Sequence, residues 1–351
     1  MEDSREPTAI VPKPAFAGGT SRPDSAVTEG VLEIAGAWTL HHQSHLSGAR
    51  IAWRLTGLAN APVVCAMGGI WCDRRLYDPA DTGVGCWREV VGPGRPLDSN
   101  RHRILSFDYL GGSGDSTGPQ PGQPFPSVST YDQAEALARL LDHLKVPALR
   151  AIVGGSYGGM VALAFGERYP ERAGALCIIS AADRPHPMAI AWHSIQRHIA
   201  KFAISCSRPQ EGLRLARAVG LSLYRSSEEF AARFPVTPRL EAGEFLFPVE
   251  RYLFADPAES TAAFRAEAFL CLSESLDLHQ VDATRIFVPT TAVGAREDQL
   301  VPLSDVRALV ARMGLAHVRE ISSIHGHDAY LRESEQLRSI LATALGAENG
   351  T

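Results

Sequence analysis

Apolar residues recur along this chain in two different periods, and the places where the period changes outline its architecture. Short apolar runs at Ile51–Leu55, Val63–Met67, Arg103–Phe107, Leu149–Val153 and Ala175–Ser180 read as buried strands. Between the third and fourth runs, Tyr131, Ala134, Leu137, Leu141 and Leu144 fall at helical spacing. Gly154–Tyr169 then reads as a strand-to-turn-to-helix unit stopped by Pro170. Strands alternating with helices predict a mostly parallel sheet covered by helices on both faces. From 184 to 284 helical periods dominate, broken at Pro209, Pro235, Pro238, Pro248 and Pro257, with no buried-strand signal. The alternation resumes with a strand at Ile286–Val293, a helix at Leu303–Met313, a strand at Val318–Ser322 and a helix at Tyr330–Leu345. The pattern therefore predicts an α/β core over 37–183 and 285–346, interrupted by a helical insert over 184–284. An insert at the carboxyl end of a parallel sheet lies over the ligand site and serves as a lid. Residues 1–36, punctuated by Pro and Gly without a period, read as a flexible tail.

Composition narrows the partners more than the fold. With 351 residues the chain can bury one large core or two modest ones. A net charge of −5 without a basic stripe argues against a nucleic-acid partner. No apolar run reaches the roughly 18 residues a membrane span needs, so no membrane role is expected. Met1–Pro23 lacks the apolar segment of a signal peptide, so a cytoplasmic protein is expected. The six cysteines (Cys65, Cys72, Cys86, Cys177, Cys206 and Cys271) form no C-x-x-C pair. That spacing predicts neither a disulfide framework nor a zinc site, and it suits a reducing compartment.

The chemistry concentrates in Gly154-Gly155-Ser156-Tyr157-Gly158-Gly159, a G-x-S-x-G element between a strand and a helix. A sharp turn there needs small neighbours and pushes the serine to an exposed, strained position over a helix N-terminus. An alcohol becomes a nucleophile only beside a base whose tautomer is set by a third group. Two late loops supply candidates: Asp298 or Glu297 as the acid, and His327 or His325 as the base. An oxyanion hole would take one N–H from Tyr157, after the serine. The other would come from Met67-Gly68-Gly69-Ile70, with Gly69 favoured over Gly68 or Ile70.

Several segments, in order, resemble the homoserine O-acyltransferase family of the α/β-hydrolase fold. They are Trp87 with Val91-Gly92-Pro93-Gly94 and Leu97-Asp98, the loop Leu110–Pro119, the elbow Gly155–Met160, and Gly326-His327-Asp328-Ala329-Tyr330-Leu331. The likeness runs from about Ser47 to the last helix. It implies Ser156 as nucleophile, His327 as base and Asp298 as the orienting acid. It also implies that Arg217 and Tyr224, seven residues apart on one helix face, hold the homoserine carboxylate, and that Asp328 binds the α-amino group. Tyr157 stands where the family has Met, Asp115 where it has Gly, and Ser113 where it has Cys.

These departures, with Leu272–His279 and Asp298–Leu303, resemble a bacterial branch associated with succinyl-CoA. A succinyl carboxylate would want a further cation, which Arg74 or Arg75 could supply. The resemblance thus implies ping-pong acyl transfer from acyl-CoA to homoserine in methionine biosynthesis. It implies no cofactor beyond that co-substrate, no metal, and a homodimer formed through the insert. An esterase or thioesterase using the same three residues, or an acyltransferase acting on serine or another alcohol, stays open at this point. A non-catalytic binding protein is disfavoured by three chemically matched residues in the right order.

Overall fold

The computed structural model describes residues 27–81, 83–255 and 264–346. The first half runs β1 (Thr28–Glu33), β2 (Ala37–Thr39), β3 (His45–Ser47), β4 (Arg50–Gly57), β5 (Val63–Met67), β6 (Val91–Gly92), β7 (Leu97–Asp98) and β8 (Arg103–Phe107). Then come α1 (Thr130–His143), β9 (Ala151–Gly155), α2 (Tyr157–Arg168) and β10 (Leu176–Ile179). The insert follows as α3 (Pro187–Ser205), α4 (Pro209–Tyr224), α5 (Ser227–Arg233), the hairpin β11 (Arg239–Glu241) and β12 (Glu244–Leu246), α6 (Pro248–Leu253) and α7 (Ala266–Asp277). The chain closes with β13 (Thr290–Ala295), α8 (Leu303–Val310), β14 (Ala316–Ile321), α9 (Ala329–Arg332) and α10 (Ser334–Ala344).

Eight strands form one sheet in the order β1-β4-β8-β5-β9-β10-β13-β14, parallel from β8 onward and antiparallel at β1–β4 and β4–β8. The central strands β5, β9 and β10 carry no polar side chain because both sheet faces are covered. Cys65, Met67, Ile152 and Ile178 enter one core with α1 and α2, while Val64, Ala66, Val153, Cys177 and Ile179 enter a second core with α10. The chain steps outward from β5 to β8 and returns to β9 on the other side of β5. The carboxyl ends of β5 and β9 therefore flank the point where strand order reverses, which is where open α/β sheets bind ligands.

Several boundaries differ from those the sequence predicts, each for a local reason. The expected tail over 1–36 ends earlier: residues 1–26 lie outside the described residues, but β1 pairs with β4 from Thr28 to Glu33. As a half-exposed edge strand, β1 carries only Val31 and Leu32 as bulky apolar residues, too weak a signal to stand out. The last helix divides at Glu333, whose ψ of 55° is not helical. The insert contains an exposed hairpin turning through Ala242 and Gly243, both at positive φ. The cysteine expectation needs correction as well. Cys72 and Cys86 form a disulfide, brought together by a loop that folds back over 14 residues, a pairing that spacing alone does not announce.

Side chains join insert to core at defined points. The Tyr157 hydroxyl, fully buried at the start of α2, lies 2.6 Å from Ser275 Oγ on α7, and Gln133 Nε2 donates to it over 3.4 Å. His279, after α7, reaches Thr130 Oγ1 at 2.8 Å and the Ala182 carbonyl at 3.0 Å; burial lowers its pKa to about 4, so it stays neutral. Arg265 donates its backbone N–H to Ser113 Oγ over 2.9 Å and a guanidinium N–H to the Gly112 carbonyl over 3.0 Å. Tyr157→Phe keeps the packing but strands the Ser275 hydroxyl. The expected cost is about 1–2 kcal/mol in chemical denaturation, with turnover changed less than about threefold because the backbone N–H of residue 157 is retained. An unchanged unfolding midpoint would show that this bond does not hold α7 to the core.

Candidate active site

At the end of β9 the chain must reverse within one residue, and Ser156 adopts φ 53° and ψ −118° to do so. A non-glycine residue in that region is strained and persists only where its surroundings over-determine it. Here the Ser156 N–H donates to the Ile179 carbonyl over 2.8 Å, and the Gly158 N–H donates to the Gly68 carbonyl over 3.0 Å. A Cβ at Gly158 would run into the Met67 carbonyl, and one at Gly154 into the carbonyl of Gly158. Glycine is required at both positions by close backbone approach.

The strained turn aims Ser156 Oγ at His327 Nε2, 2.9 Å away. His327 lies in a single 3-10 turn, Gly326–Asp328, just after β14, and its Nδ1 is 2.8 Å from Asp298 Oδ2. Asp298, in the loop after β13, is itself fixed by the N–H groups of Leu300 and Val301, each donating to Oδ1 over 2.9 Å. The competing candidates face elsewhere. Glu297 accepts from the Ser322 hydroxyl and the Ser323 N–H, while His325 sits 3.1 Å from Arg225 Nη1 and 3.4 Å from Glu229.

Burial disfavours a charged His327. The adjacent Asp298 carboxylate, their hydrogen bond and the charge of Asp328 outweigh that effect and hold its pKa above the ordinary 6.5. The Tyr157 N–H opens α2 and therefore has no acceptor within its own helix. Gly69, at the end of the β5 loop, lies close to Ser156 Cβ and faces the Tyr330 hydroxyl. Trp87 donates its indole N–H to the Tyr330 carbonyl over 2.7 Å, steadying the chain that carries His327.

Ser156 and His327 open into a cavity of about 690 Å³ that is also lined by Gly69, Arg217, Tyr224 and Asp328. Arg217 and Tyr224 thus share the inward face of α4. Burial raises the phenol pKa of Tyr224, leaving a neutral donor beside Trp71 and Gln196. Among the described residues Arg217 makes no ion pair, so its guanidinium is free for an incoming carboxylate. Asp328 Oδ2 lies 3.1 Å from Arg225 Nε, and burial raises its carboxyl pKa despite Arg225 and His327. Ser156, His327, Gly69, Arg217, Tyr224 and Asp328 therefore line one cavity, with Asp298 behind His327 and Tyr157 opening the helix after the serine.

The sequence reading missed Arg225 as the partner of Asp328 and Trp71 as a neighbour of Tyr224 in the cavity wall. Arg225 is four residues before Glu229, with which it pairs at 3.2 Å, and that spacing was its one available signal. Of the two arginines after the oxyanion loop, Arg74 is consumed. It pairs with the buried Asp108 and, at 2.6 Å, with Asp115.

Residues 82–331 match the family model for the α/β-hydrolase fold. The homoserine O-succinyltransferase of Xanthomonas campestris pv. campestris is 40% identical over 299 residues, covering 84% of this chain and 79% of that protein. This chain belongs to the homoserine O-acyltransferases. The homoserine O-acetyltransferase of Thermus thermophilus is 36% identical over 280 residues, 73% of this chain and 71% of its own. The crystal structure of homoserine O-acetyltransferase from Bacillus anthracis superposes with a TM-score of 0.81 at 17% identity, covering 91% of this chain and 97% of that one; at that identity it speaks for the fold.

The electrostatics make a pH prediction. His327 must be neutral to accept the Ser156 proton, so kcat/KM for the acyl donor should fall as pH drops through a limb above 6.5. In Asp298→Asn the charge that raises this pKa is gone. The limb should move to lower pH while kcat drops roughly 10³–10⁴-fold. A limb that stays in place in the Asn variant would assign the titration to another group.

Proposed function

We propose that this enzyme transfers an acyl group, succinyl in preference to acetyl, from CoA to the γ-hydroxyl of homoserine, a step of methionine biosynthesis. One observation carries the reading. The Ser156–His327–Asp298 relay opens into the same cavity as a free guanidinium, a neutral phenol and a carboxylate. A simple ester hydrolase needs only the relay. The Arg217–Tyr224–Asp328 set adds a cationic and an anionic pole, as an amino acid with its own carboxylate and ammonium requires.

In the first half-reaction His327 takes the proton of Ser156, whose oxygen attacks the thioester carbonyl. N–H groups of Tyr157 and Gly69 receive the charge that develops on the carbonyl oxygen. The C–S bond breaks, His327 returns the proton to the CoA sulfur, and Ser156 carries the acyl group. Homoserine then enters with its carboxylate on Arg217 and Tyr224 and its ammonium at Asp328. His327 removes the γ-hydroxyl proton, the new ester forms, and the proton returns to Ser156. The scheme calls on no cofactor besides acyl-CoA. The insert roofs the cavity and so favours the amino-acid alcohol over water as acceptor.

Among the described residues no helix is long and apolar enough to cross a membrane. Because CoA thioesters are intracellular metabolites, we assign the enzyme to the cytoplasm on substrate chemistry rather than on its cysteines, two of which are paired. We also propose a homodimer formed through the insert, where large apolar side chains stand exposed: Phe202 at 72%, Val236 at 86%, Leu240 at 65% and Phe245 at 66%.

Two measurements test these readings. Intact mass after mixing with succinyl-CoA, without acceptor, should show one succinyl adduct that is lost on adding homoserine and absent in Ser156→Ala. Acyl-CoA consumption unchanged in that variant, or equally fast without homoserine, would reject acyl transfer in favour of another nucleophile or of hydrolysis. Light scattering should return twice the 37.8 kDa chain mass, and Phe202→Glu with Phe245→Glu should return one chain mass. A monomeric wild type would end the dimer proposal.

A further inference from the structure

Arg217 and Tyr224 line the cavity from α4 and Asp328 from the turn after β14, leaving the long loop after β5 with no role beyond Gly69. Arg75 and Arg88 stand there, lining the same cavity as Ser156 and His327. We propose that these two arginines hold the distal carboxylate of a dicarboxylic acyl donor and thereby select succinyl over acetyl. The proposal rests on the acyl-transfer reading above and adds the residues that choose the donor.

Three observations favour the pair. First, both guanidiniums keep donors for a ligand, although Arg88 Nη1 donates to the Gly85 carbonyl over 3.2 Å. Arg75 is 54% exposed and Arg88 40%, and their nearest carboxylates, Glu29 and Glu89, lie at 3.8 and 3.9 Å. Those carboxylates are shared with other arginines, Glu29 with Arg54 at 3.1 Å and Glu89 with Arg95 at 3.4 Å. Asp73, which also lines the cavity, is turned onto the Arg75 backbone N–H at 2.7 Å. Arg74, by contrast, is 12% exposed and committed to Asp108 and Asp115.

Second, the two arginines belong to one braced unit. The Cys72–Cys86 disulfide joins their segments three residues before Arg75 and two before Arg88. The Trp87 N–H donates to the Leu76 carbonyl over 2.8 Å, and Gly85, at φ 110°, is pressed against the backbone of Leu76 and Tyr77.

Third, that unit is tied to the loop that carries Gly69. The Cys72 sulfur fills the space beside Gly68, the residue before Gly69, and the Cys72 N–H donates to the Gly69 carbonyl over 2.9 Å. A succinyl chain carries its carboxylate two methylenes beyond the carbonyl that Ser156 attacks. Planar guanidiniums match a carboxylate through paired hydrogen bonds, whereas the methyl of an acetyl group gains nothing from them.

The test compares kcat/KM for succinyl-CoA and acetyl-CoA, with homoserine saturating and thiol release as the readout. It uses the wild type, Arg75→Gln, Arg88→Gln, the double variant and Arg75→Lys. Each Gln variant should lose about tenfold with succinyl-CoA and less than about threefold with acetyl-CoA, and Arg75→Lys should recover part of the loss. Equal losses with both donors would overturn the proposal and assign the arginines to the CoA phosphates common to both. So would an undiminished succinyl preference in the double variant, or a wild type without one. Retained acetyl transfer in every variant keeps a failure of donor selection separate from a failure of acyl transfer, which would appear as no turnover of either donor by the wild type.

Discussion

The turn at Ser156 governs the rest of the site. A φ of 53° at a serine is unfavourable in isolation, and the fold holds it by leaving the chain no other path. The Ser156 N–H is tied to β10 and the Gly158 N–H to Gly68, so the elbow and the oxyanion loop are hydrogen-bonded to each other. The Tyr157 N–H and the Gly69 loop therefore move as one body with the nucleophile. Preorganisation of this kind matters because donors already in place when charge develops need no reorganisation during the reaction.

Much of what marks the family in the sequence, and of what sets this chain apart within it, is joinery rather than chemistry. Trp87 bonds the Tyr330 carbonyl and steadies the turn that carries His327. Asp98 caps its own loop through the N–H groups of Gly94 and Asn100. Ser113, in the glycine-rich loop before α1, receives the first N–H of the α7 segment, and Tyr157 receives Ser275 from the same helix. Trp71 stacks on Phe269 at 5.4 Å and packs on Phe264 at 4.5 Å, so the oxyanion loop also touches the insert. The lid is consequently an extension of the core's hydrogen-bonding and aromatic network, and it positions Arg217 and Tyr224 against a base that belongs to the sheet.

Legibility of the sequence followed signal strength. The inner strands were plain, because a sheet covered on both faces demands uninterrupted apolar runs such as Val63–Met67. The Ser156, Asp298 and His327 positions could be placed because each lies just beyond a readable strand and the chain order is restrictive. Glu297 and His325 could not be set aside by chemistry alone; only their contacts with Ser322, Ser323, Arg225 and Glu229 do so. Edge strand β1 was lost in the expected tail, since a half-exposed strand needs few apolar residues. The Cys72–Cys86 bond and the Arg225–Asp328 pair were invisible because both depend on chain reversals that no local pattern encodes.

Charge placement explains how one cavity can serve two substrates in turn. In the proposed scheme donor and acceptor both present a carboxylate, and a single cationic site would let homoserine compete with the acyl chain for the same position. The structure instead separates the guanidiniums that line the cavity. Arg217 lies on the lid helix beside Tyr224, while Arg75 and Arg88 lie on the disulfide-braced loop behind Gly68. Asp328, held by Arg225, adds a negative pole on the lid side, where it repels a carboxylate unless an ammonium accompanies it. An amino acid satisfies that condition and a succinyl chain does not. In that scheme the carboxylate that receives the acceptor's ammonium would steer the acyl group toward Arg75 and Arg88, leaving His327 facing whichever oxygen is due to lose its proton.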